Sequence, residues 1–536
     1  MSTENLEQQF VALDAERSTL LQRVRECAKR TIPQLMPDPA RQVRTKTSSE
    51  RTIKPDNYQG DCQRFVTGFA GRLLEGVFPP GVPYAARKLS PEILDDPEIP
   101  SEWKTQLIEA LTLRNMIIVS MIEASPLFYA RKYNVFKHLL VCGECAERMN
   151  DDYSITLFRL DNYVTLRDST GTILSQIFRE KLDLASLEPG ELELIGMTPE
   201  KLRGMNAAQR MVTKYTRNEW NPWSKTWVQL RGIMHENKCH YLPEQEDRVS
   251  AFWTTPWDLT EGENYAIGLC ELNYGDILTI DTLALGTMNF ADVTSWMRIG
   301  VDESSDLDEN ELLDENGRII RCRVDGGQIQ NLAMLQANKV GDWSVFKDIK
   351  EDTINKLGRS FLSETSSVRD SERTTLGEIT ATTIRELQNA TNGAFATIAT
   401  HQQLPMFLRA EAQLVSDRLI KPIPKKLEGR AVKSVALTGL AALASQTKFQ
   451  NVMRIAELAE RLQATENLDK DVVLNAAVRY FQVDEPGLVL SAEKKRAMMD
   501  EAMARQAQAR AIDAAGTIAE NAAAQQQQPQ GVTASG

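Results

Sequence analysis

Cys142 and Cys145 have metal-knuckle spacing, and His235, Cys239 and His240 are the side chains that could complete a tetrahedral zinc site with them. A plainer reading is preferred. Cys142 follows the apolar run FKHLLV at a helix end, where a small thiol is an ordinary buried residue. HENKCH sets His235 and His240 five residues apart, not the four that put two imidazoles on one helix face, so it reads as a surface strand or loop. Asp302, Glu303, Asp306, Asp308, Glu309, Glu311, Asp314 and Glu315 crowd into VDESSDLDENELLDENG without a base. An EF-hand is excluded there, because Glu311 stands where glycine must be and Gly317 where the bidentate glutamate belongs. Trp220, Trp223 and Trp227 have a spacing that could stack nucleobases; the preferred reading is core packing. The sequence contains neither a phosphate-cradling Gly-x4-Gly-Lys-Ser/Thr nor a Gly-x-Ser-x-Gly nucleophile elbow. With only four histidines (His138, His235, His240, His401), acid–base work would fall to carboxylates that show no pairing. The expectation is a protein without catalytic residues, metal or cofactor.

The chain that must position these residues has 536 of them, too many for one core, and 42% are hydrophobic, which supports folded units. Seven cysteines (Cys27, Cys62, Cys142, Cys145, Cys239, Cys270, Cys322) are odd in number and thinly spread, unlike a secreted disulfide framework, so synthesis in a reducing cytoplasm is expected. The N-terminus carries acids and no apolar signal region. No stretch reaches the ~18 to 20 apolar residues of a membrane span. A net charge of -12 has the wrong sign for a protein that grips nucleic acid over its whole surface, so any DNA contact must be local.

Leu6, Phe10, Leu13, Leu20, Val24 and Ala28 predict one amphipathic helix ending at Thr31–Pro33. CQRFVTGFAGRLLEGVF predicts another, ended by Pro79-Pro80-Gly81, with more helix over 101–122 and 126–142. From Tyr153 the period drops toward two, predicting strands in YSITLFRL, YVTLRD, TILSQIFRE, RMVTKYTR and TWVQLRGIMHE, with a turn at 168–171. A long helix is predicted over 261–297, then the acidic run and a strand-like RIIRCRV, then a helix over 342–362. A polar segment follows, and then a helix over 375–420 that Asn392-Gly393 would kink. Thr375 and Glu378 form a capping box at its start. AVKSVALTG predicts a strand before a helical C-terminal region, and the glutamine-rich end has little to bury.

This order of parts resembles the portal, or head-to-tail connector, proteins of short-tailed phages of the autographivirus type. The likeness rests on RTIPQLMPD, FRLDNYVTLRDSTGTILSQIFRE, GENYAIGLCELNYGDI, ERTTLGEITATTIRELQNATNGAF and LTGLAAL, which occur in that family's order and together cover roughly 16–503. The acidic run and the glutamine tail are not part of that pattern. The resemblance implies a mainly helical α+β portal fold with wing, stem, clip and crown, assembled as a ring, usually a dodecamer, at one capsid vertex. By the same likeness, residues 1–258 form the wing, 259–295 and 341–363 the stem helices, 296–340 the clip, 364–375 a channel loop, 376–430 a kinked helix of the wing, 431–510 a helical crown and 511–536 a low-complexity tail. The implied partners are the major capsid protein, scaffolding protein, terminase or packaging motor, tail adaptor and internal core proteins. Double-stranded DNA would pass through the channel during packaging and ejection, in a virion built in the host cytoplasm.

The polar segment 363–375 gains a role from this likeness. Ser366 and Ser367 would line the channel, and Arg369 and Arg373 would touch DNA phosphates or else pair with Asp370, Glu372 or a neighbouring subunit. Asp306, Asp308, Glu309 and Glu311 would face a basic docking partner at the clip, or be no more than a solvated loop. Two other classes remain: a nucleic-acid-binding scaffold using the tryptophans, and a carboxylate-dependent hydrolase.

Overall fold

The first apolar stripe folds as two helices, not one. α1 (Leu6–Glu16), capped by Asn5, and α2 (Ser18–Arg30) part at Arg17. The buried guanidinium of Arg17 donates to Leu160 O at 2.8 Å and to Asp14 Oδ1 at 2.7 and 2.9 Å. The two halves serve different cores: Leu6 and Phe10 pack with Val164, Ile177 and Tyr215, whereas Leu21, Val24 and Ala28 join the main core. One straight helix cannot turn its stripe to both, so the continuous periodicity over-predicted. The computed structural model describes residues 5–37, 57–80, 83–94, 96, 99–206, 209–236, 238–295, 298–301, 324–325, 328–329, 332–335, 340–361, 397–424, 427 and 431–436.

α3 (Asp61–Val77) is followed by β1 (Ala85–Leu89), α4 (Ser101–Glu123) and α5 (Phe128–Cys142), close to expectation except for β1. α3 and α5 pack together, burying Val66, Phe69, Leu73 and Val77 with Val135, Phe136 and Leu139. Each such side chain contributes about 1.5–3 kcal/mol by leaving water.

β2 (Glu144–Met149) and β3 (Ile155–Phe158) form a three-stranded sheet with β10 (Phe252–Pro256), in the order β10-β2-β3. The larger sheet runs β4 (Tyr163–Arg167), β5 (Ile173–Asp183), β6 (Met211–Asn221), β7 (Thr226–His235) and β8 (Lys238–Tyr241), and β9 (Gln245–Asp247) also pairs with β7. Period two sorts its faces. Ile177 and Tyr215 turn to α1, while Phe178, the residue after Ile177, stacks on Phe252 with ring centroids 4.3 Å apart.

The helix expected from residue 261 begins only at Leu269, as a short turn to Leu272, and continues as α6 (Tyr274–Ser295). Residues 259–268 are extended and turned instead, with Gly262 at φ +83° and an Asp258–Ile267 bridge. The cause is a close backbone crossing. Gly143, at φ +85°, meets Gly268 and Ala266 so tightly that an added Cβ would lie 2.3 Å from Ala266 O. After α6, β11 (Arg298–Val301) pairs with β14 (Leu332–Leu335), and β12 (Val324–Asp325) with β13 (Gln328–Ile329). α7 (Val340–Ser360) packs against α6. A π-helical turn (Ala399–Gln403) then leads into α8 (Leu404–Ser416). β15 (Val432–Ala436), expected as a strand, pairs antiparallel with β1 across nearly 350 residues of chain. The fold mixes helix and strand. Among the described residues no helix is long and apolar enough to cross a membrane.

Candidate functional site

Asp306, Asp308, Glu309 and Glu311 lie outside the described residues, as do Ser366, Ser367, Arg369, Arg373, the Thr375–Glu378 box and Asn392-Gly393. The frame on either side of them is described. α6 has 22 residues and α7 has 21, so each extends about 30 Å. The two helices pack together, and Ile277, Ile280 and Ala284 on α6 and Leu357 on α7 are buried. α6 is tied to the body by Tyr58 N–H donating to Asp281 Oδ1 at 3.0 Å, and the Leu269–Leu272 turn before it by Arg23 at 3.4 Å from Glu271. The same helix pair leaves Leu278, Met288, Val345, Phe346 and Ile349 exposed.

The chain enters residues 362–396 from a fixed point. Phe361 is buried between Phe65 and Phe69 of α3, with ring centroids 6.3 and 6.2 Å away, and its carbonyl accepts from Arg72 at 3.2 Å. It leaves them at another. In the π-helical turn, Gln402 Nε2 donates to Glu147 Oε2 at 2.9 Å and Gln403 Nε2 to Val77 O at 2.8 Å, both buried. A π turn inserts a residue into the helical ladder, and here it lets two consecutive glutamines reach inward.

Glu147 anchors the second point. Its Oε1 lies 2.7 Å from Lys132 Nζ with both side chains fully buried, and its Oε2 also accepts from Trp253 Nε1 at 3.1 Å. The ammonium sits 5.2 to 5.8 Å from the rings of Phe78, Phe128 and Trp253. At the start of the same strand Glu144, also fully buried, accepts from Tyr163 Oη at 2.9 Å, Ala266 N–H at 3.3 Å and Arg167 at 3.4 Å. Burial pushes the Glu144 carboxyl up, and Arg167 opposes that rise. Sequence reasoning passed over these groups. One signal was readable: Lys132 sits three, four and seven residues before Val135, Phe136 and Leu139, a cation in the middle of an apolar face.

The supposed metal residues belong to packing. Cys142 ends α5 fully buried with its thiol 3.8 Å from His138 Nδ1, and Cys145 is buried in β2. Burial raises both thiols, and it drives His138 down to about 3. His235, Cys239 and His240 sit on β7 and β8, and HENKCH is a strand edge as expected. Among the described residues no group of His, Cys, Asp and Glu could hold a metal ion. The tryptophan reading needs correction. The three residues ride a hairpin, not a core stripe: Trp220 and Trp227 pair across β6 and β7 with ring centroids 5.4 Å apart, and Trp223 at the turn is 94% exposed. Hairpin geometry breaks the spacing, so the three rings form no continuous platform for bases.

Comparison with known proteins covers most of the chain. Residues 3–483 match the family model described as bacteriophage head to tail connecting protein. The portal protein of Enterobacteria phage T3 is 23% identical, over 94% of this chain and 89% of that one, and the portal protein of Escherichia phage T7 is 22% identical, over 96% and 93%. A chain in the solved virion of a native gene transfer agent particle is 8% identical, over 66% of this chain and 82% of that one, with a TM-score of 0.36.

Proposed function

The chain belongs to the bacteriophage head to tail connecting protein family, and from that membership we propose that it is the portal of a phage capsid. Copies of it close into a ring at one vertex, between capsid and tail, and double-stranded DNA passes through the central hole. The observation that carries the ring is the stem. α6 and α7 cover each other on one side and leave Leu278, Met288, Val345, Phe346 and Ile349 in water. Such a stripe calls for neighbours, and a head-to-tail contact that closes on itself supplies them.

The anchors give the proposal its mechanics. On either side of residues 362–396, Phe361 is buried in the main core and Gln402 is bonded to the buried Glu147. The segment between them is the channel loop that the duplex passes. Ser366 and Ser367 give it a hydrated lining, and Arg369 and Arg373 supply weak phosphate contacts blunted by Asp370 and Glu372. Engaging even 6–10 phosphates would cost about 10³–10⁵-fold in affinity between 50 and 200 mM salt, the signature of a clamp, and a conduit must let its cargo slide. Asp306, Asp308, Glu309 and Glu311 form the docking face for a basic adaptor or motor surface. Work for translocation comes from that separate motor.

Replacing Phe346 and Ile349 together by Asp tests the assembly step. Size-exclusion chromatography with light scattering is expected to give folded monomers where the wild type gives rings. Rings of unchanged mass would remove the stem from the interface.

A further inference from the structure

α4 is apolar on two sides. Leu111, Ile118 and Ile122 are buried against the body, and at ~100° per residue Leu113, Met116, Ile117 and Ser120 lie on the side turned away from them. There Leu113 is 62% exposed, Met116 38% and Ile117 39%. A surface helix ordinarily carries charge on its solvent side, and this one does not. Between residues 110 and 127 the charged residues are Arg114 and Glu123. Arg114 lies 2.7 Å from Glu411 with 13% of its side chain exposed, and Glu123 is half-buried.

The turn after α4 shows the same excess of exposed apolar surface. Leu127 holds φ +64°, a left-handed conformation that disfavours a bulky side chain and that glycine or asparagine adopts readily, and it is 68% exposed. A turn that only had to reverse the chain would be better served by a polar residue.

The stem cannot hold a ring by itself. Leu278, Met288, Val345, Phe346 and Ile349 are 37% to 56% exposed. A side chain of this kind carries roughly 60–120 Å² of apolar surface, so five of them about half exposed offer about 150–300 Å². A standard stable contact takes ~800 Å² from each partner, and permanent ones take more. Further apolar surface must come from the body. The missing charge on α4 says which kind of contact that is, because permanent contacts between copies are more apolar and poorer in charge than surfaces that meet transient partners.

We propose that the α4 face at Leu113, Met116 and Ile117 is a second subunit contact, covered in the assembled ring by another copy of this chain, an assignment that rests on the ring reading given above. Neighbours in a closed ring meet through different faces, so the surface that covers α4 is not a second α4.

Leu113→Glu with Ile117→Lys tests this in the full chain. The two changes add no net charge and their i, i+4 spacing favours helix, so the monomer is expected to melt as the wild type does. Ring formation, followed by light scattering over a dilution series, is expected to need at least tenfold more protein. A photo-crosslinking p-benzoylphenylalanine placed at Met116 and irradiated in purified rings is expected to give covalent dimers of this chain, with peptide mass spectrometry joining residue 116 to a residue outside α4. Assembly of the charged variant at the wild-type concentration, or irradiated rings without dimers, would overturn the assignment, as would crosslinks from residue 116 to residue 116, which mark a two-fold pair. If the charged variant melts lower than the wild type, the crosslink decides. A wild type that forms no rings would sink the ring reading itself, and the α4 contact with it.

Discussion

Gln402 Nε2 lies 2.9 Å from Glu147 Oε2, a buried hydrogen bond between residues 255 apart in sequence. It makes the far end of the 362–396 segment share a carboxylate with Lys132, whose ring neighbour Phe78 belongs to the same core as Phe361. One of the two anchors beside the proposed channel loop is therefore tied to a buried ion pair.

Breaking that pair from either side strands a charge. Lys132→Met or Glu147→Leu alone is expected to cost about 3–5 kcal/mol of unfolding free energy, while the double variant recovers only the stranded-charge part, because Trp253 Nε1 and Gln402 Nε2 lose their acceptor. Urea denaturation of the three variants reads this directly. Equal losses in single and double variants would mean that packing, not charge, decides.

Gly143→Ala is expected to destabilise by more than about 3 kcal/mol. The substitution places a Cβ 2.3 Å from Ala266 O at a backbone φ of +85°, and the clash is with backbone that cannot swing aside. Gly190→Ala, with open space at the same atom, is the control and should change stability by under about 1 kcal/mol. Similar melting temperatures for the two variants would contradict the tight crossing at residues 143 and 268.

His138 gives the body an acid limit. Burial, aided by Arg159 and Lys137, lowers its pKa from 6.5 to about 3, so between those values the unfolded chain binds a proton that the folded chain refuses. Its contribution to stability is complete above about pH 6.5 and falls as pH drops, with a slope of up to about 1.4 kcal/mol per pH unit. Glu144, raised by burial, acts in the opposite sense above its own unfolded pKa, so the comparison must be with His138→Gln. The stability difference between wild type and that variant is expected to shrink between pH 6 and pH 4. A difference independent of pH would mean that His138 titrates normally.

Arg369 and Arg373, assigned by our proposal to the channel loop, are expected to govern retention, not assembly. Arg369→Ala with Arg373→Ala should still form rings, and particles carrying them should lose packaged DNA more readily. Wild-type retention, measured by nuclease-sensitive DNA outside purified particles, would make these arginines structural, and so would failure to assemble.

Local patterns carried much of this architecture. Apolar residues three and four apart marked α3 and α5, and alternation marked β5, β6 and β7 within a few residues, because each buries one face against a nearby partner. What escaped depended on distant chain. β1 was not anticipated, and β15 was anticipated without its partner, because they pair across nearly the whole body. The break at Arg17 answers to Leu160, and the extended entry to α6 answers to Gly143. Trp223 has the same spacing whether it lies on a helix face or a hairpin tip, and only the turn at residues 222–225 separates the two. Of the site, the polar segment and the acidic run were nameable as composition, while the Lys132–Glu147 pair was visible only as a lysine on an apolar face.

The central claim is a ring with a passage through it, and images of the purified full-length chain by negative-stain electron microscopy test it most directly. Closed rings of uniform copy number, seen end-on with a central hole wide enough for a double helix, are predicted. Monomers, open filaments or discs without a hole at assembly concentrations would contradict the account.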